Sequence, residues 1–353
     1  MTSQEQISAW SRLGSIFSLV SNRQKGFADN NKQLVESFDR AIDRAYYENR
    51  WFTKDEIYFA LNNWSKLLNK QNLEQWVSEY SLTGKSMKIG VVQAGNIPLV
   101  WFHDFLSVLI SGHSYIGKAS NKDAVLPRFI SDLLIQLDGR FGDKILWVER
   151  IKEVDAIIAT GSNNSSRYFE YYFKNIPHII RKNRGSWAII DGTESAEELK
   201  LLGEDIFRYY GLGCRNISKI FVPDGYRFDP FFQAIEPYNY VYNNNKYANN
   251  YDYNQSIYLM NQESFLQNGF LMLKENIGHH SPLSVIFYEH YSRIETVLER
   301  INIESSNIQC VVSHFLPDIE TVAFGNAQSP SLKEYADGID ILDWLINLSN
   351  SDV

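Results

Sequence analysis

Met87-Lys88-Ile89-Gly90-Val91-Val92-Gln93-Ala94-Gly95-Asn96-Ile97-Pro98-Leu99 is the stretch whose reading decides the fold. Residues 87–92 form a short apolar run without helical spacing, which predicts a buried strand. The run passes into Gln93-Ala94-Gly95-Asn96. A helix is expected over 98–111, with proline near its first turn, where a missing N–H costs nothing. The alternation continues outward: strand 114–118, helix 123–137, and strands 145–148 and 156–160, the last ending at Gly161-Ser162. Strand–helix alternation of this kind predicts a parallel α/β sheet with right-handed crossovers. In open sheets ligands bind beyond the carboxyl ends of the strands. Asn96, Lys118 and Gly161 fall at such ends.

Upstream, the first 85 residues read as helical. Ile7, Trp10, Leu13, Ile16, Phe17 and Val20 recur at three- and four-residue steps, so they share a face. A second helix is expected over 34–47. Thr53-Lys54-Asp55-Glu56 has capping-box spacing ahead of a third over 57–68. No chemistry is evident here, and a packing layer is the expectation. Downstream, strand 187–191 and helix 196–210 lead to Gly211-Leu212-Gly213-Cys214-Arg215-Asn216 and strand 219–222. Alternation resumes with strand 284–288, helix 293–301 and strand 309–313, and the chain closes with helix 339–348. The expected organisation is a helical region over 1–85, an α/β domain over 86–186, a second over 187–315, and a C-terminal segment over 316–353 returning to the first domain or to an interface. Residues 238–254 are odd: seven of seventeen are Asn and six are Tyr. Stacking aromatics could hold single-stranded nucleic acid, but only Lys246 is basic there, so a surface excursion of the second domain is expected.

Composition narrows the function. Of 353 residues, 44% are apolar and 22% charged, an ordinary globular mixture, and the formal net charge is −8. An acidic chain without a basic run is a poor phosphate-backbone binder, so no nucleic-acid partner is expected. The start, MTSQEQISAW, has no signal-peptide pattern. The most apolar stretch, 89–110, contains Gln93, Asn96, Pro98, His103 and Asp104, so no membrane span is expected. The C-terminal LINLSNSDV shows no lipidation signal. The two cysteines, Cys214 and Cys310, cannot build a disulfide framework. A reducing, cytoplasmic location follows as an expectation.

Cys214 is the most informative residue. Gly211 and Gly213 allow a tight turn and a close approach to substrate. A thiol at a strand–helix junction beside Arg215 has reason to be partly thiolate, and thiolates form thioesters with acyl groups. The alternative is that a free cysteine is a small buried hydrophobe. Cys310, in Gln309-Cys310-Val311-Val312, fits that alternative better. There is no Gly-x-Ser-x-Gly elbow, P-loop or Gly-x-Gly-x-x-Gly, and His279-His280 lacks metal-ligand spacing, so no metal site is expected.

Four ordered segments resemble the aldehyde dehydrogenase superfamily. Gln93-Ala94-Gly95-Asn96-Ile97-Pro98-Leu99 is similar to its oxyanion-asparagine motif and Lys118-Ala119-Ser120-Asn121 to its ribose-contacting lysine motif. Ala159-Thr160-Gly161-Ser162 resembles its nicotinamide-side turn, and Gly211-Leu212-Gly213-Cys214 its catalytic-cysteine turn. Two further segments, residues 213–223 and 324–332, resemble the acyl-CoA reductases, relatives of the reductase component of the bacterial luminescence fatty-acid reductase complex. The likeness runs from about residue 86 to the C-terminus.

The resemblance implies an aldehyde-dehydrogenase-like fold, with a dinucleotide-binding domain and a catalytic domain. It implies NADPH-dependent reduction of an acyl thioester, acyl-CoA or acyl-carrier, to an aldehyde through a covalent Cys214 acyl-enzyme. Asn96 and the Cys214 backbone N–H would receive the oxyanion. Gln93, Lys118, Ser120, Asn121, Thr160, Gly161 and Ser162 would hold the cofactor. Taken alone, Asn96 also reads as a helix N-cap and Thr160-Gly161-Ser162 as a plain strand-to-helix turn. Oxidising relatives carry a water-activating glutamate upstream of the cysteine; Arg181-Lys182-Asn183-Arg184-Gly185-Ser186 has no carboxylate, which suits reduction and also an inactive enzyme. Asn121 stands where NAD-preferring relatives often carry glutamate, so NADPH is expected, with NADH possible. The group activating Cys214 is open among Arg184, Arg215, His279 and His280. A homo-oligomer, or a complex with an acyl-activating enzyme, and a place in fatty-acid metabolism are implied. The competing readings are a non-catalytic subunit that keeps the fold, and a cysteine thioesterase or acyltransferase.

Overall fold

A computed structural model of the chain describes residues 2–22, 29–82, 84–161, 163–316 and 319–350. They fall into two compact units, one built from 1–182 and 331–353, the other from 183–330.

The first unit begins with α1 (Ser3–Ser21), α2 (Asp29–Glu48), α3 (Lys54–Leu67) and α4 (Lys70–Val77). Then come β1 (Lys88–Val92), α5 (Phe102–Ile110), β2 (Ser114–Lys118), α6 (Val125–Leu137), β3 (Ile145–Trp147), β4 (Ala156–Thr160), α7 (Asn163–Phe173) and β5 (His178–Arg181). The five strands run parallel in the order β3-β2-β1-β4-β5. Lys88 lies opposite Ser114 and Val92 opposite Lys118, while Val92 also faces Ala159. The strand order therefore reverses between β1 and β4.

The apolar stripe of α1 packs mainly against α3, and its aromatic rings reach α5 and the turn after α6. Trp10, fully buried, meets Phe102, Phe105 and Phe141 edge-on at 5.7–5.9 Å. Phe17 joins Phe38 and Phe102. Each such ring pair adds about 0.5–1.5 kcal/mol beyond its area burial. The C-terminal helix Ile341–Asn350 and the strand of chain before it close the unit: His103 Nε2 contacts Leu332 O at 3.1 Å, Trp76 Nε1 donates to Tyr335 Oη at 2.8 Å, and Tyr80 Oη donates to Asp340 at 2.6 Å.

Two local expectations change. Thr53 is the N-cap of α3 but makes no side-chain cap bond; Glu56 is turned into the buried face rather than back to the cap. Capping boxes form instead at Thr2 with Glu5 and at Ser195 with Glu198. Helix α5 starts at Phe102 rather than 98, because Leu99 takes a left-handed φ of 58° and turns the chain first.

The second unit comprises β6 (Gly185–Ile189), α8 (Ala196–Phe207), β7 (Ile217–Pro223), α9 (Asp229–Ala234), α10 (Asn245–Met260), β8 (Leu266–Gln267), β9 (Met272–Glu275), β10 (Val285–Tyr291), α11 (Ile294–Glu304) and β11 (Ile308–Val312). Its sheet has the order β11-β6-β7-β10-β9-β8, parallel except for β8 against β9. On one face Trp187, Ile189, Phe221, Val297, Ile301, Ile308 and Val311 form a core under α11. The Asn- and Tyr-rich stretch takes regular structure, with Tyr240, Tyr242 and Tyr253 exposed. It forms a 3₁₀ turn, Glu236–Asn243, and then α10, whose Tyr251 and Tyr258 pack with Met272, Val285 and Phe287. Tyr247, Tyr251, Asn254 and Tyr258 recur at helical spacing and fill that face, with Asn254 Nδ2 donating to Leu283 O at 2.9 Å. Among the described residues no helix is long and apolar enough to cross a membrane.

Candidate active site

In the first unit the sequence-selected residues gather at the carboxyl ends of three strands. Gln93 follows β1 directly. It is buried, its backbone N–H donates to Lys118 O at 3.0 Å, and its Nε2 donates to Tyr115 Oη at 2.7 Å. Its other amide atom, Oε1, is buried without a partner among the described residues. Lys118 is the last residue of β2 and Thr160 the last of β4; Gly161 follows, and its N–H donates to Arg181 O at 3.3 Å. Ser162 lies outside the described residues.

Gly95 explains how the loops after β1 and β2 approach so closely. A Cβ there would lie 2.6 Å from Ser120 Oγ and 2.7 Å from Ser120 Cβ. Ser120 Oγ accepts from Lys122 N at 3.2 Å, and Asn121, at the tip of the turn, is exposed. Asp123, buried beneath the turn, accepts from Trp101 Nε1 at 3.1 Å and so ties the segment after Asn96 to the segment after Lys118. Burial pushes its carboxyl up to about 7. Asn96 itself is half-buried in a bend ahead of the turn at 98–101, and the N-cap of α5 is Trp101, so the N-cap alternative for Asn96 does not hold.

At the end of β5, Arg181 makes a buried bidentate pair with Asp104 of α5, at 2.7 and 2.9 Å. Its guanidinium is held by Asp104.

In the second unit Cys214 is exposed and in no disulfide. It sits between the end of α8 and β7, at the junction between helix and strand that the sequence predicts there. Several bonds fix its turn. Ser186 Oγ, on buried β6, donates to Cys214 O at 3.0 Å. Asn216 Oδ1 accepts from Gly213 N at 2.7 Å. Arg215 Nε donates to Ala327 O, and Asp205 accepts from Gly325 N and Ala327 N at 2.7 and 2.9 Å. The loop carrying residues 324–328 is thereby laid against the Cys214 turn. Asp205 is fully buried, and desolvation raises its carboxyl to about 7. Cys310 is half-buried with Sγ 3.1 Å from Ser186 Oγ.

His280 packs against Gly185, where a Cβ would lie 2.3 Å from its Nδ1, and burial with the neighbouring His279 lowers its pKa. His279 stacks on Trp187 and faces Glu304 at 3.4 Å. Lys219, fully buried, holds their loop by donating to Asn276 O at 3.3 Å and Gly278 O at 2.9 Å and pairs with Glu289. Asp191, Glu194 and His314 bring ligand atoms within 4.8 Å of one another, but the two carboxylates accept the N–H groups of their own turn, Thr193 for Asp191 and Asp191 and Gly192 for Glu194.

Sequence reasoning singled out Cys214, Asn96 and the strand-end residues. It missed Ser186, Asp123, Asp104 and Asp205, whose partners lie far along the chain.

The fold is that of the aldehyde dehydrogenases. The chain is similar to aldehyde dehydrogenase 21 from Physcomitrella patens, solved with succinate, at 12% identity and a TM-score of 0.66, covering 99% of this chain and 85% of that one. It is similar to an indole-3-acetaldehyde dehydrogenase from P. syringae, solved with NAD+ and IAA, at 11% identity and 0.62, covering 88% and 72%. A third likeness is to an aldehyde dehydrogenase from Bacillus cereus in complex with NAD+, at 13% and 0.60, covering 88% and 72%. Within that class the family model for acyl-CoA reductase (LuxC) matches residues 15–324, and the chain belongs to this family of oxidoreductases acting on acyl or aldehyde groups. Comparison with curated proteins gave no match.

Proposed function

We propose that the protein reduces an acyl thioester, acyl-CoA or acyl-carrier, to an aldehyde with NADPH, through an acyl group carried on Cys214. The observation that carries this reading is an exposed thiol on a turn fixed by Ser186 and Asn216, in a chain of the acyl-CoA reductase family.

Cys214 Sγ attacks the thioester carbonyl. The new S–C bond forms, the bond to the carrier sulfur breaks, and the thiol proton ends on the carrier thiol. The Cys214 backbone N–H and the Asn96 amide are the proposed oxyanion donors; loss of one such donor typically costs about 10²–10³ in rate. Residues 86–186 are the proposed dinucleotide-binding domain and 187–315 the catalytic domain.

The first unit fits a dinucleotide. Its strand order reverses between β1 and β4, Gln93 Oε1 is an orphaned buried acceptor beside that point, and Gly95 keeps the adjoining loops close. Gln93, Lys118, Ser120, Asn121, Thr160 and Gly161 are the residues proposed to hold it, with Ser162 beyond them. When bound, the cofactor supplies the hydride that turns the acyl thioester into an aldehyde. Uncharged Asn121 near Lys118 tolerates a 2′-phosphate, which favours NADPH over NADH. Residues 181–186 carry no carboxylate to activate water against the acyl-enzyme, which suits reduction. Fatty-acid metabolism, a cytoplasmic location, and a homo-oligomer or a complex with an acyl-activating enzyme form the proposed setting.

Intact-protein mass spectrometry with a panel of acyl-CoAs, with and without NADPH, tests the proposal. The expected result is an acyl adduct on Cys214 that disappears with NADPH as aldehyde is released. An adduct that clears without nucleotide makes the protein a thioesterase or acyltransferase. No adduct, with NADPH fluorescence unperturbed, makes it a non-catalytic subunit.

A further inference from the structure

The three residues ahead of the Cys214 loop have backbone that L-amino acids avoid. Tyr209 (φ 54°, ψ 26°) and Tyr210 (φ 57°, ψ 24°) are left-handed, and Gly211 follows at φ 77°. Each non-glycine residue in this region costs roughly 1–2 kcal/mol, so the turn persists only because its surroundings over-determine it. Both tyrosines are buried, and Tyr210 packs on Tyr247 with ring centroids 6.3 Å apart.

One side chain closes this turn onto the cysteine loop. Asn216, 3% exposed, donates from Nδ2 to Asp205 O (3.0 Å), Ile206 O (3.3 Å) and Arg208 O (2.8 Å). Its Oδ1 accepts from Gly213 N at 2.7 Å, and its backbone N–H donates to Gly213 O at 3.1 Å. A single amide thus spans the C-terminal carbonyls of α8 on one side and the residue before Cys214 on the other. Those carbonyls form the negative end of the helix. With two donors engaged on them, their potential near the thiol is offset. Aspartate has no donor for the carbonyls, and the hydroxyl of serine cannot reach both sides.

We propose that Asn216 is the positioning residue of Cys214: it holds the left-handed turn at Tyr209–Gly211 against the end of α8 and so sets the geometry and ionisation of the thiol. Asn216 touches no substrate in this scheme. The inference rests on the reading of Cys214 as the acyl nucleophile.

The test is the rate at which iodoacetamide alkylates Cys214, resolved from Cys310 by peptide mass spectrometry, across the thiol titration range. Wild type, Asn216→Ala and Asn216→Ser are compared as full-length protein, with circular dichroism to confirm folding. The expected result is an alkylation midpoint raised by about one pH unit in either variant. Acyl transfer is expected to slow by about 10–100-fold while the acyl-CoA KM changes by less than about 3-fold. Folded variants that alkylate with the wild-type pH profile overturn the proposal. If neither variant folds, Asn216 serves folding alone and the proposal is overturned as well. Wild-type protein that never takes an acyl group from acyl-CoA would instead defeat the nucleophile reading, while the alkylation profile still reports on Asn216.

Discussion

Arg181 at the end of β5 and Asp104 on α5 form a two-pronged ion pair, 2.7 and 2.9 Å, with both side chains less than a tenth exposed. Deleting one partner strands the other as a buried charge, at a cost of about 3–5 kcal/mol. Arg181→Met is therefore expected to lower stability by that amount, and the double variant with Asp104→Leu to recover much of the loss. Denaturant unfolding of the three variants measures it; additive losses would show that the two charges are not coupled.

Gly95 is the second point of leverage. An alanine there must push Ser120 or the Asp123 backbone aside, since its Cβ would lie 2.6 Å from one and 3.2 Å from the other. Overpacking of this kind costs about 1–3 kcal/mol. Gly95→Ala is expected to weaken NADPH binding by about tenfold or more, that is at least ~1.4 kcal/mol, read by nucleotide fluorescence titration. Unchanged affinity would separate these loops from the cofactor.

The two thiols are expected to behave differently. Cys214 is exposed, whereas Cys310 is half-buried beside Ser186. Iodoacetamide should label Cys214 at least about tenfold faster. Cys214→Ala should abolish acylation while shifting stability by no more than ~0.5 kcal/mol, as for other exposed positions. Preferential labelling of Cys310, or acylation surviving in Cys214→Ala, would assign the chemistry elsewhere.

Asp123 gives stability a pH dependence of predictable sign. Burial raises its carboxyl to about 7 in the folded state, against about 3.9 unfolded. The folded state therefore binds the proton more tightly. The stabilising contribution is full below the unfolded value and is lost as pH rises through about 7, at most ~1.4 kcal/mol per pH unit. Asp205 acts with the same sign. Asp123→Asn, which keeps an acceptor for Trp101 Nε1, should flatten this slope in denaturant titrations between about pH 4 and 7. A wild-type slope in that variant would place the dependence on another group.

The alternation around 87–160 was legible because buried parallel strands are written as short apolar runs and their helices as amphipathic ones. Ile89, Val91, Ile157 and Ile158 are all buried as such a reading requires. Helix α7, strand β5 and helix α10 were not predicted. Their sequences, Tyr-rich or short, lack a clean period, and α10 is helical because Tyr247, Tyr251 and Tyr258 find a sheet to cover.

The amino-acid order by itself determined the α/β class and pointed to Cys214, Asn96 and the strand-end residues, since local periodicity and ordered motifs survive in one dimension. Only the tertiary structure decided what holds those residues. Asn216 meets carbonyls 8–11 positions away, Ser186 meets Cys214 across 28, and Arg181 meets Asp104 across 77. Such bonds arise when folding brings distant strands and helix ends together and every buried polar group must find a partner, a condition no local pattern encodes.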